Sequence, residues 1–109
     1  MARAAISEAA WRLAKTLHGN PQAAAGEPAV LDQADLLPVF GGDEDLFGAA
    51  LDELLIVPLQ LGEGDEPWSE FHVLSAARFE PRDDRMLVHY QFHRDFLKLL
   101  RIAASRPSA

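Results

Sequence analysis

The chain has 109 residues, which is one small domain, and its 49% hydrophobic and 25% charged residues are the balance of a globular protein. The absence of Cys excludes disulfides, Cys-ligated zinc, thiol redox motifs and thiol nucleophiles. The net charge of -7 is unevenly spread: residues 27–77 hold twelve acids and no Lys or Arg, while the cations gather before and after them.

Residues 3–18 read as a helix, with Ile6, Ala10, Leu13 and Leu17 at helical spacing and Gly19, Asn20 and Pro21 stopping it. Residues 19–29 read as a flexible connection. Asp32 is an N-cap candidate for a short helix through Leu36 and Leu37. Gly41-Gly42 makes a turn, and Asp43 caps a second helix with Glu44 and Asp45 in its first turn. Leu46, Phe47, Ala50, Leu51, Leu54 and Leu55 form the apolar stripe of that helix.

The period then changes. Residues 56–61 are a strand candidate with Pro58 at an edge position. Residues 62–67 are a polar loop. Residues 68–79 read as one strand, with Phe71, Val73, Ser75, Ala77 and Phe79 on one face. Residues 81–84 turn, and Met86, Val88, Tyr90 and Phe92 alternate along a last strand. Phe92, Phe96, Leu99 and Leu100 return to helical spacing, giving a short closing helix near Ile102 and a tail over 103–109. The expectation is a single α+β domain over 1–109: three helices, a strand and a hairpin, then a short C-terminal helix. That order is winged-helix-like, and the hairpin needs the helices to cover its apolar face. Phe47, Leu51, Leu54, Val73, Val88 and Phe92 are the expected core.

The segment from Leu31 to Arg101 resembles the N-terminal winged-helix domain of plasmid replication initiators of the RepA/RepB class. The resemblance rests on a leucine-rich helix running into a β-branched strand over 51–59, an acidic loop and Trp over 66–68, a strand with small residues over 73–79, a charged turn, and Val88-His89-Tyr90-Gln91-Phe92 followed by Phe96-Leu97-Lys98-Leu99-Leu100. It implies a first winged helix that dimerises and helps to bind DNA, beside a second, basic winged helix that reads DNA repeats. One winged helix fits in this chain, so it is expected to be a first domain on its own or a shorter relative.

The residues qualify what the resemblance implies. The second helix carries Asp43, Glu44, Asp45, Asp52 and Glu53 and no cation, so an anionic groove repels it. DNA contact is left to Arg78, Arg82 and Arg85 around the hairpin and to Arg94, Lys98 and Arg101 on one face of the closing helix. Those cations equally suit the acids of residues 43–53, within the chain or across a dimer. Trp68, Phe71 and Leu59 are the candidate interface residues, an exposed Trp68 being a typical hot spot. His72, His89 and His93 can approach one another only if the hairpin folds them together, and no metal is expected. The acidic clusters lack calcium-loop spacing, and the serines and glycines match no nucleophile elbow or phosphate loop.

The expected protein is therefore cytoplasmic, since residues 1–5 open no apolar export signal and no apolar run is long enough to span a membrane. It is expected to be non-enzymatic, free of cofactors and homodimeric, with at most weak binding to the DNA backbone. The alternative is a winged-helix transcriptional regulator that contacts DNA through its wing.

Overall fold

The computed structural model describes residues 2–3, 6–63 and 66–105, with side chains over 6–58 and 71–101. The architecture is mixed α and β, with helices packed on antiparallel sheet. No described helix is long and apolar enough to cross a membrane.

The elements follow from their caps. Strand β1 (Ala2–Arg3) precedes helix α1 (Glu8–His18), so the helix starts five residues later than its spacing suggests. Ser7 sets that start: its backbone is extended and its hydroxyl accepts from Ala10 N–H at 3.2 Å, satisfying a donor the first turn leaves free. The stretch expected to be a flexible connection is instead ordered by a second cap. Asn20 accepts from Gln22 N–H at 2.9 Å, Pro21 takes the first helical position, and α2 (Pro21–Ala24) buries Ala23.

Strand β2 (Ala29–Asp32) follows, then α3 (Gln33–Leu36), capped by Asp32, and a 3₁₀ turn over Leu37–Phe40. Gly41 and Gly42 both have positive φ, 65° and 82°, which is why glycine occupies this turn. Helix α4 (Glu44–Ile56) comes next, with the Asp43 carboxylate accepting from Asp45 and Leu46 N–H. It extends to the residue where the sequence suggests a strand; β3 (Leu59–Glu63) begins beyond Pro58.

The expected long strand over 68–79 is two strands. Strand β4 (Glu66–Phe71) pairs with β3, and β5 (Leu74–Arg82) pairs with β6 (Arg85–Phe92). Two three-stranded antiparallel sheets result, in the orders β1-β3-β4 and β2-β6-β5. The break falls where Val73 and Leu74 are buried in succession, which a single alternating strand does not allow. A bulge at Ser75 then shifts the register between Leu74 and Ala76. Helix α5 (Arg94–Ser105) is longer than the short closing helix expected and takes in the start of the expected tail, whose residues 106–109 lie outside the described residues.

All six expected core residues are 3% exposed or less. They meet Ala10, Leu13 and Leu17 of α1 and Phe96 and Leu97 of α5 in one cluster. Phe92 sits at its centre, stacked on Phe96 at 5.6 Å and edge-on to Tyr90 at 6.0 Å. The Tyr90 hydroxyl donates to the Leu17 carbonyl at 2.8 Å, tying the end of α1 to the middle strand of the second sheet. Desolvation there pushes its pKa up to about 12.

Candidate interaction surfaces

Helix α4 is the first surface. Its buried face carries Phe47, Ala50, Leu51 and Leu54; Leu46, expected in the stripe, lies outside it and is exposed. The acids lie elsewhere on the helix. Asp43, Glu44, Asp45 and Asp52 are exposed, and Ile56 is 68% exposed at the far end. Asp43 is engaged as a cap, and Glu44 and Asp45 oppose the positive end of the helix. Glu53 accepts from the hydroxyl and backbone N–H of Ser7, so it braces the start of α1. The acidity of this helix is thus partly structural.

The wing cations are the second surface. Arg82 and Arg85 are cross-strand neighbours at the tip of the β5–β6 hairpin. Asp83, in the left-handed region at φ 55°, and Asp84 form the turn between them and leave the tip without net charge. Arg82 pairs with Glu80 at 3.0 Å and Arg85 with Asp32 at 3.8 Å. Both ion pairs are exposed enough to contribute little stability, yet they offset the field a phosphate would meet. Arg78 is exposed on β5, opposite His89. Arg94, Lys98 and Arg101 are exposed along α5 at steps of four and three, on one face as their spacing suggests.

The histidines go separate ways. His89 donates to the Glu80 carboxylate at 2.6 Å, and this hydrogen bond, helped by the charge of Arg82, holds the Glu80 pKa below its ordinary value. His93 precedes α5 and accepts from Asp95 N–H at 3.1 Å, while its ring stacks on Phe71 at 5.9 Å. His72 is exposed. Among the described residues no group of three His, Asp or Glu side chains is placed to hold a metal ion.

Of the candidate interface residues, Phe71 is corrected. It is 4% exposed and covered by His93, so its apolar area is spent inside the chain. The side chains of Leu59 and Trp68 lie outside the described residues. The residue that sequence reasoning misplaced is Phe79. It stands on the apolar face of its strand, edge-on to Phe47 at 6.4 Å, but is 48% exposed. The available signal was its setting, Arg78-Phe79-Glu80-Pro81-Arg82, where charges and a proline mark an edge strand.

Compared with protein-family models, with curated proteins and with solved structures, the chain matches none.

Proposed function

We propose that this chain is a non-enzymatic, cytoplasmic winged-helix module that works by self-association, similar in role to the first winged helix of a plasmid replication initiator. The order of elements supports the winged-helix reading. Helix α1 leads to β2, then to the α3–glycine turn–α4 unit, then to the β5–β6 hairpin, and β6 lies between β2 and β5. The β3–β4 hairpin is an addition between α4 and β5.

One observation carries the choice of interaction over DNA reading. The second helix of the helix–turn–helix outline has no cation and five acids, Asp43, Glu44, Asp45, Asp52 and Glu53. Such a helix is repelled by the groove it would have to enter. The remaining DNA contact is through Arg82 and Arg85 and the α5 cations, and their neighbouring acids keep it weak and confined to phosphates.

Light scattering at micromolar concentration should give about twice the monomer mass. A monomer at every concentration sinks the self-association. Fluorescence anisotropy on duplex DNA should show weak binding that falls steeply with salt, and Arg82→Ala with Arg85→Ala should weaken it alike on every sequence. A sequence-specific complex that survives those changes and is abolished at Asp45 or Asp52 overturns the reading of α4. A sequence-specific complex that the two arginine changes abolish favours a transcriptional regulator reading DNA through its wing.

A further inference from the structure

The self-association proposed above leaves open which surface makes the seam, and the free side of β5 answers to that need. Strand β5 is nine residues long and stands at the edge of its sheet, with β6 on its other side. The opposite edge strand, β2, is only four residues long, and short edges are poor templates for pairing.

The hairpin turn fixes which main-chain groups of β5 face outward. Arg82 and Arg85 flank a two-residue loop, so they exchange hydrogen bonds with each other. Bonded and non-bonded pairs alternate from there. Arg78 and Glu80 therefore bond to β6, while Ala77, Phe79 and Pro81 direct their main-chain groups to the free edge. Pro81 suits that side, because it has no N–H to leave unpaired. The half-exposed Phe79 ring lies at the middle of this edge.

We propose that β5 pairs antiparallel with β5 of a second copy of this chain, about a twofold axis through Phe79. In that register Phe79 faces the partner's Phe79, and the two exchange main-chain hydrogen bonds. Ala77 N–H reaches the partner's Pro81 carbonyl at each end. Arg78 falls opposite the partner's Glu80, and Glu80 opposite the partner's Arg78, which gives a complementary charge pair on either side of the axis. Neighbouring registers are worse. An axis at Arg78 or Glu80 sets like charges face to face. An axis at Ala77 loses both charge pairs and runs into the bulge at Ser75. An axis at Pro81 places two missing N–H groups at the centre and Phe79 against the partner's Asp83. A twofold edge pairing also closes on itself, so it stops at two copies.

The chain has no Cys, so a single introduced thiol reports the seam. Across a bonded antiparallel pair the Cα atoms lie about 5.5 Å apart, within disulfide reach. Mild oxidation of Phe79→Cys should yield a covalent dimer on a non-reducing gel, and Val30→Cys, on the exposed opposite edge, should stay single. Arg78→Glu should weaken the dimer at least tenfold by sedimentation, and adding Glu80→Arg should restore it. Both positions are exposed enough for the fold to survive, and circular dichroism checks that it has. If the wild-type chain is dimeric but Phe79→Cys does not cross-link, or cross-links no better than Val30→Cys, the seam is overturned and self-association is left standing. A dimer indifferent to Arg78→Glu has the same consequence. A monomeric wild-type chain removes both.

Discussion

The strands β5 and β6 share one hairpin and one sheet, yet they use their apolar residues in opposite ways. In β6, Val88, Tyr90 and Phe92 alternate without a break and all are buried. In β5 only Leu74 is buried; the strand bulges at Ser75, and Phe79 is left half exposed. A phenylalanine at an alternating position is thus 2% exposed on the central strand and 48% exposed on its neighbour. Place in the sheet, rather than residue type, decides whether an apolar side chain becomes core or contact surface. A central strand has helices over it and a strand on each side. An edge strand has main-chain groups to satisfy and is guarded by charge and proline.

The largest test of this contrast is deletion of the central ring. Phe92→Ala should cost about 3–5 kcal/mol in denaturant unfolding, and Leu54→Ala, facing the sheet from α4, about 2–5 kcal/mol. A loss of a few tenths at either position would mean that β6 is not the centre of the core.

A middling effect is expected at Tyr90, the only tyrosine. Its folded pKa is raised, so the stability it contributes is complete below pH 10 and is lost as pH rises toward about 12. Tyrosinate absorbance should follow alkaline unfolding rather than precede it. Tyr90→Phe removes that link and leaves the Leu17 carbonyl without its donor, at a cost of about 1–3 kcal/mol.

On β5 the same measurements should give little. At concentrations where the chain is monomeric, Phe79→Ala should change stability by less than about 1 kcal/mol, since its ring already meets solvent. A larger loss would make Phe79 a core residue and dissolve the comparison.

Glu80 should show the smallest effect. Its lowered pKa means that its contribution is present above the ordinary value of 4.5 and is lost as pH falls through the folded value. Glu80→Gln should flatten the acid limb of the stability profile without moving the neutral plateau.

What the residues reveal on their own divides along the same line. The faces of α1 and α4 and the buried side of β6 follow from spacing, and the caps at Asp32 and Asp43 follow from residue type, because each is decided within a few positions. Strand β2 does not announce itself: Ala29-Val30-Leu31-Asp32 is extended because β6 pairs with it from far along the chain. The division of residues 68–79 between two sheets is hidden for a like reason, as no Gly or Pro marks it. The cations of the candidate DNA surface were visible as a group. That Arg82 and Arg85 already have acidic neighbours is a matter of strand register, which spacing does not give.

The hydrogen bond from Tyr90 to Leu17 spans 73 positions, and it sets a schedule for synthesis. Strand β6 lies between β2 and β5 but is made after both. A ribosome that has reached the Asp83-Asp84 turn has delivered both outer strands of this sheet and most of its helices, with nothing to join them. Until the next eight residues emerge, the nascent chain displays two unpaired strands and an uncovered apolar helix face. The slow, long-range closure of that gap is the step at which this small domain is most exposed to misassembly, and any truncation upstream of Arg85 makes the exposure permanent.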